Sequence, residues 1–361
     1  MRENVGGIAT MNSTAGQDAG AAGVCAPIST ADKVRFLSEA SIYPHSPPDV
    51  TLVETHMSFV FLAGERAYKL KKPVRFPFLD FSTLHAREIN CREEVRLNRR
   101  LAPQVYLGMV PLHLSADDRL SLGGEGAVVD WLVEMRRLPA DRMLDRMLAE
   151  GRLDGALIDD LCETLGDFYG RAERSTISPD VYVARFFREQ AENRGILTRR
   201  DFALDHGRIP TLLDRLDTSL TANRSLLEQR ARTGRVIDGH GDLRPEHICF
   251  TDPIAIFDCL EFNSELRQVD PFDELAFLGV ECAQLEAPAL GPKIIAKVAE
   301  RLGESAPDQL ISLYAAWRAV LRARLSVAHL LDPVPRRPEK WEPLAGRYLG
   351  LAERALAAMG A

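Results

Sequence analysis

The stretch that decides the fold is residues 238–258, which read DGHGDLRPEHICFTDPIAIFD. Two short apolar runs lie within it, at residues 248–250 and 254–257, and Thr251-Asp252-Pro253 separates them. Apolar runs of this length around turn-forming residues predict an antiparallel β-hairpin. Because a hairpin returns the chain to the edge from which it started, the segments just before and just after it are expected to lie side by side.

Two carboxylates and an imidazole are brought together by this predicted hairpin. Asp242 and His247 precede its first strand, and Asp258 follows its second strand. Phosphoryl transfer requires such a cluster, because hard oxygen ligands must hold magnesium and a carboxylate must orient the attacking hydroxyl and accept its proton. We therefore predict that Asp242 orients the hydroxyl and that Asp258 binds the metal.

The elements around the hairpin predict two lobes of an α+β protein. Residues 1–32 are rich in small and polar residues and are predicted to be a disordered tail, because they cannot bury enough apolar surface to offset their ordering entropy. Residues 33–135 are predicted to form a small β-rich N-lobe with one helix, and residues 136–361 a larger, mostly helical C-lobe. The N-lobe strands are predicted at residues 51–54, 59–62, 66–71, 105–112 and 128–135, and its helix at residues 84–101.

Composition excludes several classes of protein. The formal net charge of -7 argues against a nucleic-acid or membrane-surface partner, which would require a basic face. No apolar run reaches the roughly 18 residues of a membrane-spanning helix, and the N-terminus lacks the pattern of a secretory signal. The six cysteines are irregularly spaced, without a Cys-x-x-Cys pair, which is typical of free thiols in a reducing cytosol. A cytoplasmic protein is predicted.

Two motifs carry a resemblance to a known family. His240-Gly241-Asp242-Leu243, followed by the hairpin, and Asp270–Ala276 (DPFDELA) resemble the aminoglycoside phosphotransferase and choline kinase branch of the protein-kinase-like superfamily. The wider pattern is similar to an uncharacterised bacterial group of aminoglycoside-phosphotransferase-like proteins. Its further marks are ETHMS (54–58), YKLKK (68–72), LDFS (79–82), EVRLNRR (94–100), FDCLEFN (257–263) and RAVLRA (318–323).

The resemblance implies a protein-kinase-like two-lobed fold and an ATP-dependent small-molecule kinase that uses Mg²⁺. Some members of the bacterial group carry a second, P-loop domain. The motif G-x-x-x-x-G-K-[ST] does not occur in this sequence, so we expect that domain to be absent.

Several cofactor-binding roles follow from the resemblance by position. Lys69 matches the lysine that reaches the ATP phosphates, although Lys71 and Lys72 compete for this role. Glu93 or Glu94 matches the partner of that lysine, and Glu93 is preferred because Leu97 then falls one turn later at the inward spacing. The backbone of residues Glu134 to Arg136 matches the hinge that binds the adenine edge.

The sequence departs from the family pattern at two places. His247 stands where the family usually has an asparagine that binds a second metal, and imidazole is a poorer magnesium ligand than an amide oxygen. The second metal is then lost, or Mn²⁺ is preferred. In addition, His56-Met57-Ser58 replaces a Gly-rich loop, so side chains of Ser58 or His56 are hypothesised to contact the phosphates.

Other charged residues have structural or substrate roles in this interpretation. His240 is predicted to brace the catalytic loop through hydrogen bonds, and Asp273 is predicted to be a brace that caps the following helix. Glu261 is either a metal or substrate carboxylate or a surface residue. Arg318 and Arg322 share a helix face and form either a solvated stripe or a pocket for an anionic group of the substrate.

The predicted function is transfer of the ATP γ-phosphate to a hydroxyl of a small polar metabolite, such as a sugar or amino sugar. The alternatives are a nucleotide-binding pseudokinase that regulates a partner, and transfer of AMP to a protein. The sequence leaves the acceptor, the number of metals and the oligomeric state open.

Overall fold

The computed structural model describes residues 28–76 and 79–359. They form the predicted α+β architecture, with a small sheet-based N-lobe followed by a larger helical C-lobe. The strands are β1 (Val50–Glu54), β2 (Ser58–Ala63), β3 (Arg66–Lys71), β4 (Arg75–Phe76), β5 (Leu79–Asp80), β6 (Tyr106–Leu114), β7 (Leu120–Leu122), β8 (Ala127–Arg136), β9 (Ile237–Asp238), β10 (Ile248–Cys249), β11 (Ala255–Ile256) and β12 (Gln268–Val269). The helices are α1 (Thr30–Leu37), α2 (Leu84–Asn98), α3 (Leu144–Ala149), α4 (Gly155–Arg171), α5 (Pro179–Leu197), α6 (Ile209–Ala222), α7 (Arg224–Arg232), α8 (Pro271–Gln284), α9 (Leu290–Leu302), α10 (Asp308–Ala328) and α11 (Trp341–Ala358).

The N-lobe is organised by a six-stranded antiparallel sheet with the order β1-β2-β3-β8-β6-β7. Five of these strands confirm the sequence prediction, and β7 is an additional strand. Side chains alternate along β3. Tyr68 and Leu70 therefore pack in the cluster that includes Leu37 of α1, while Lys69 and Lys71 point to the opposite face, where α2 lies.

The end of the segment predicted to be a tail is helical. α1 starts at Thr30, and the Ser29 hydroxyl accepts a hydrogen bond from Asp32 N at 3.1 Å. This cap satisfies one of the free N–H groups of the first turn. Residues 30–32 are thus helical rather than part of the predicted tail, and residues 1–27 lie outside the described residues.

A buried ionic cluster ties both N-lobe helices to the sheet. Asp130 in β8 accepts from Arg87 of α2, with Nε–Oδ1 at 2.7 Å and Nη2–Oδ2 at 3.1 Å. The same carboxylate accepts from Lys33 Nζ of α1 at 2.8 Å. All three side chains are buried. Because moving an ion out of water costs several kcal/mol, each of these charges depends on its partners.

The C-lobe is built around α10, which packs against α5, α8 and α11. Its buried apolar residues include Leu313, Trp317 and Val320, which recur at helical spacing and form part of one continuous core. Among the described residues, no helix combines the length and the apolar character required to cross a bilayer. The five cysteines in the described ranges are free and buried.

The predicted hairpin is present, and it determines where the chemistry lies. β10 pairs with β11 in antiparallel register, with Ile248 opposite Ile256 and Cys249 opposite Ala255. A second short ladder, β9 with β12, returns the chain to the N-terminus of α8. The segment between β9 and β10 is therefore anchored at both ends. We call residues 239–247 the HGD loop.

We expect Asp130→Ala to lower the free energy of unfolding by about 3–5 kcal/mol, because it leaves two buried cations without a counter-charge. Urea denaturation followed by fluorescence of the adjacent Trp131 measures this change. The control is Glu88→Ala, which removes an exposed pair with Arg92 on the outer side of α2 and is expected to cost about 0.5 kcal/mol or less. Equal stability of the two variants would contradict the structural role of the cluster.

Candidate active site

A cleft of about 910 Å³ lies between the two lobes. Its N-lobe wall is formed by the turn between β1 and β2 and by residues of β2 and β3, and its floor by residues of the HGD loop and the segment that follows β11. Lys69, Asp242, His247, Asp258 and Glu261 all line it. The structure therefore brings these five predicted site residues together in one cavity.

Five charged side chains form a lysine–carboxylate network in this cleft. Lys69 Nζ donates to Glu94 Oε1 at 2.8 Å and to Asp258 Oδ1 at 2.7 Å. Lys71 Nζ donates to Glu94 Oε2 at 2.5 Å and to Glu261. Glu94 is fully buried and lies between the two ammonium groups. The network thus joins β3, α2 and the segment after β11, and it spans both lobes.

The three candidate lysines, two in β3 and Lys72 just after it, have different surroundings. The Lys69 side chain retains 15% exposure at the cleft, whereas Lys71 is 1% exposed. Lys72, on the opposite face, pairs with Glu54 at 2.6 Å. Of the three, only Lys69 is positioned to contact a ligand in the cleft and a C-lobe carboxylate at once.

The preference for Glu93 as the partner of Lys69 is wrong, and Glu94 takes that place. The buried face of α2 runs through Arg87, Cys91, Glu94 and Asn98, at steps of four, three and four. Glu93 is one position out of phase, and it pairs with Arg96 on the exposed side at 2.8 Å. Helical phase, rather than charge or motif, distinguishes the two glutamates.

The charges of the network set its pKa values. Burial alone would lower the pKa of Lys69, but the Asp258 and Glu94 carboxylates outweigh burial and hold that pKa well above its usual value. For Asp258, burial acts to raise the pKa, but Lys69 and His247 overcome it and lower the pKa far below its usual value. Burial raises the pKa of Glu261, because the nearby lysines do not fully offset the cost of burying its charge.

Asp242, His247 and Asp258 converge as the hairpin predicts. His247 Nδ1 is 2.9 Å from the Asp242 carbonyl oxygen and donates to it. His247 Nε2 then lies 3.5 Å from Asp258 Oδ2. Arg244 was not singled out from the sequence, yet its Nε donates to Asp242 Oδ2 at 3.1 Å and its Nη2 lies 3.2 Å from His247 Nε2. Burial acts to raise the pKa of Asp242, but Arg244 and His247 outweigh it and the pKa is lowered.

His240 occupies the bracing position that the sequence predicts. Its Nε2 is 2.9 Å from the carbonyl oxygen of Phe257 and donates to it, while Nδ1 accepts from Asp242 N at 3.3 Å. Burial, reinforced by the neighbouring His247, lowers the pKa of His240 to about 4. A neutral imidazole, with one donor and one acceptor nitrogen, satisfies both bonds.

The second brace of the HGD loop is Glu274, which sequence reasoning missed. Its carboxylate accepts from His240 N at 3.0 Å, from Gly241 N at 2.6 Å and from the Tyr169 hydroxyl at 3.0 Å. Gly241 has φ +86°, and a Cβ there would lie 3.2 Å from Leu266 O, so the loop requires glycine at this position. The signal for Glu274 was present in the DPFDELA motif, one residue beyond the aspartate that was chosen.

Asp273 does not brace the loop or cap α8. It forms a bidentate pair with Arg318, with distances of 2.7 and 2.6 Å, inside the C-lobe. The N-cap of α8 is Asp270, whose side chain accepts from Phe272 N at 2.9 Å. Asp273 lies on a different face of α8 from Glu274 and is directed at α10, which explains why it meets an arginine and not the loop.

Arg318 and Arg322 form neither a solvated stripe nor an open anion pocket. Asp273 occupies two donors of Arg318, whose side chain is 9% exposed. Arg322 Nε pairs with Glu281 at 2.8 Å, and its side chain is 19% exposed. A substrate contact by Arg322 stays a prediction, whereas the buried Arg318 is occupied by Asp273.

Several polar groups of the predicted hinge form hydrogen bonds within the protein and are therefore not free to bind adenine. The Glu134 side chain accepts from Arg66 at 3.2 Å and from Tyr68 at 3.1 Å on the face of the sheet that is turned away from the cleft. Arg136 N donates to Val105 O at 2.8 Å. Among the described residues, the next backbone donor without a partner is Leu138 N, which lies along the cleft.

Ser58 lies where the phosphate-binding hypothesis requires it. It begins β2, is 2% exposed and lines the cleft. Its backbone N–H donates to Thr55 Oγ1 at 2.9 Å, which closes the turn between β1 and β2. The contact of its hydroxyl with a phosphate stays a prediction.

Comparisons with known proteins give uncharacterised sequence relatives and a shared fold. No family model matches the chain. An uncharacterised protein of Mycobacterium tuberculosis and one of Mycobacterium bovis are each 37% identical over 292 residues, which is 80% of this chain and 57% of the relative. The chain therefore spans little more than half the length of the curated relatives that it matches.

Two solved structures share the fold over nearly their whole length. A choline/ethanolamine kinase family protein from Mesorhizobium loti matches with a TM-score of 0.52 and 15% identity, covering 91% of this chain and 98% of that one. The GDP complex of wild-type aminoglycoside 2'-phosphotransferase-IIIa gives a TM-score of 0.52 and 15% identity, with 90% and 98% coverage. The chain therefore shares the fold of these two structures.

Proposed function

We propose that this protein transfers the γ-phosphoryl group of ATP to a hydroxyl of a small polar molecule. The observation that carries the proposal is the bridge formed by Lys69, which joins Glu94 of the N-lobe to Asp258 of the C-lobe at 2.8 and 2.7 Å, with Asp242 on the same cleft. Phosphoryl transfer relies mainly on positioning and charge stabilisation, and these groups supply both.

Each group has a role that follows from its surroundings. Lys69 is protonated and its position is restricted by two carboxylates, so it presents a fixed positive charge to the phosphates. Asp242 stays ionised because its pKa is lowered, and it would orient the acceptor hydroxyl and receive its proton. Arg244, beside Asp242, would contact the phosphoryl group in transit, where a planar guanidinium offers several donors.

The donor set fits one magnesium ion better than two. Lys69 donates to Asp258 Oδ1, so Oδ2 is left for a metal ion. The Asp258 side chain is 42% exposed at the cleft. Asp258 would therefore hold Mg²⁺, which when bound neutralises charge on the phosphate oxygens. His247 Nε2 already accepts from Arg244, so a second ion there requires Arg244 to move, and an imidazole ligand would favour Mn²⁺.

The adenine end of the cleft is apolar. Its walls are formed by the side chains of Val60, Leu62, Ala67, Met135 and Leu138. A flat aromatic base fits such walls, and Leu138 N would donate to its edge. The proposed backbone donor is two residues beyond the hinge residues Glu134 to Arg136 that the sequence predicts.

A sugar, amino sugar or amino alcohol is the acceptor class that we favour. The two structural neighbours are, by their names, an aminoglycoside phosphotransferase and a choline/ethanolamine kinase family protein. Both names describe small polar alcohols. In this chain Asp242 and Arg244 line the cleft and Arg244 also pairs with Glu246, and this mixed charge suits a polar metabolite.

A nucleotide-binding regulator is the second candidate, and one observation favours it. Arg244 donates to Asp242 and to His247, so the guanidinium covers both the proposed base and the position of the second metal ligand. In a regulator this arrangement would persist when the nucleotide is bound. In an enzyme, the acceptor or the phosphoryl group would displace it.

The roles of Asp242 and Asp258 predict different defects. Asp242→Asn is expected to keep Mg·ATP affinity within about threefold of wild type and to lose roughly 10²- to 10⁴-fold in turnover, because it removes the base and not the metal ligand. Asp258→Asn is expected to weaken metal-dependent ATP binding as well. Calorimetric titration of ATP with Mg²⁺ or Mn²⁺, together with ATP consumption in the presence of a library of sugars and amino alcohols, measures both quantities.

The control for these variants is Asp252→Asn, in the exposed turn at the far end of the same hairpin, which should behave as wild type. Unchanged turnover of Asp242→Asn would refute the phosphotransferase assignment. Tight ATP binding without turnover by the wild type, across the library, would favour the regulator.

The neighbouring glutamates of α2 are expected to differ sharply. Glu94→Gln removes the negative charge between two buried lysines, so we expect a loss of about 3–5 kcal/mol in unfolding free energy and a weaker affinity for ATP. Glu93→Gln disturbs only an exposed pair and should cost under about 1 kcal/mol. Thermal melting and ATP titration of both variants test this. The same result for the two substitutions would remove the basis for the network.

A further inference from the structure

Three potential metal ligands meet where the turn between β1 and β2, which lines the cleft, approaches the segment that follows α10. They are His56, in the turn between β1 and β2, His329, in the turn of 3-10 helix that follows α10, and Asp332, which ends that turn. Their ligand atoms all lie within 4.8 Å of one another. In the proposed function none of the three has a part in phosphoryl transfer.

In the part of the chain that the structure describes, the ligand atoms of these three side chains have no hydrogen-bond partner. Within residues 28–76 and 79–359, no hydrogen bond to these two imidazoles or to this carboxylate is present, although aromatic rings hold the histidines in place. His56 stacks on Phe76 with ring centroids 5.3 Å apart, and His329 stacks on Trp341 at 4.0 Å. The rings are thus oriented by packing while their nitrogens stay available.

The cluster joins the two lobes at a place where they already touch. Arg336, a few residues beyond Asp332, pairs with Glu54 at the end of β1, with Nη2–Oε1 at 2.5 Å. The segment after α10 therefore lies against the β1–β2 turn independently of any ion. A metal at the cluster would add a second and stronger link across the same contact.

We propose that His56, His329 and Asp332 form a zinc site that fastens the β1–β2 turn to the C-lobe. Two imidazoles and one carboxylate are ligands that Zn²⁺ accepts, with a water molecule in the fourth position. With bonds of about 2.0–2.2 Å, tetrahedral ligand atoms stand about 3.4 Å apart, so binding requires a closure of roughly 1 Å. His56 is exposed and lies in the turn between β1 and β2, so it is the ligand expected to shift, together with the Phe76 ring on which it stacks.

Closure at the cluster has a structural consequence for the cleft. The turn that contains His56 also contains Thr55 and Met57 and leads into Ser58, and all four residues line the cavity. Zinc would therefore hold this turn down over the cavity, in the place where a flexible glycine-rich loop would otherwise move. The zinc site goes beyond the proposed phosphotransferase activity, and its test does not depend on that activity.

Zinc content of the purified chain tests the proposal. After dialysis against buffered Zn²⁺, we expect His56→Ala, His329→Ala and Asp332→Ala each to bind one zinc equivalent fewer than wild type. Loss of a ligand should weaken affinity at least as much as the roughly 10- to 100-fold that loss of an outer-shell partner costs. The matched control is His85→Ala, an exposed histidine of α2, which should retain the wild-type zinc content.

Hydrogen exchange gives a second readout. Zinc is expected to slow exchange of the amides of residues 54–58 in the wild type and not in His329→Ala, although that substitution lies in the other lobe. Melting temperatures without zinc control for misfolding. Asp332→Ala removes no ring contact and, among the described residues, no hydrogen bond, so it should melt as wild type does without zinc, whereas the histidine variants also lose their stacking on Phe76 or Trp341. Wild-type zinc content in His56→Ala, or zinc binding that leaves residues 54–58 unprotected, would overturn the proposal.

Discussion

The Glu94 carboxylate, fully buried between the ammonium groups of Lys69 and Lys71, is the interaction on which the rest of the site depends. A carboxylate removed from water is stable only with close counter-charges, so Glu94 requires both lysines. The lysines in turn require more negative charge than Glu94 alone supplies, and they obtain it from Asp258 and Glu261 of the other lobe. Electrostatic balance in the N-lobe is thereby coupled to the position of the C-lobe carboxylates.

On the C-lobe side, the carboxylates of α8 and of its N-cap residue each have a different partner. Asp270 caps the helix and pairs with Arg230, Asp273 pairs with Arg318, and Glu281 pairs with Arg322. Glu274 alone turns toward the HGD loop, where it accepts two backbone N–H groups. Because α8 is anchored by these ion pairs, Glu274 fixes the loop that carries Asp242 to a rigid element, which is what precise positioning of a catalytic group requires.

Local patterns in the sequence predicted what local geometry determines. The hairpin of residues 248–257 follows from two apolar runs and a turn, and the meeting of Asp242 with Asp258 follows from the hairpin. The choice between Glu93 and Glu94 depends on which of the two adjacent positions of α2 faces the sheet. Charge and motif are the same for both positions, so they do not decide it. The DPFDELA motif contains Glu274, but the choice of Glu274 over Asp273 as the brace depends on how the β9–β12 ladder places α8. The proximity of His56 to His329 depends on how the lobes meet, so local sequence does not predict it.

The most direct test of the account is to identify what the wild-type chain does to ATP and to an acceptor. Incubation with ATP, Mg²⁺ and a pool of sugars, amino sugars and amino alcohols, followed by phosphorus NMR and mass spectrometry, identifies the products. The account predicts ADP together with an acceptor that has gained one phosphoryl group on a hydroxyl oxygen. Release of pyrophosphate with AMP attached to a protein, or no change in ATP with any acceptor, would contradict it.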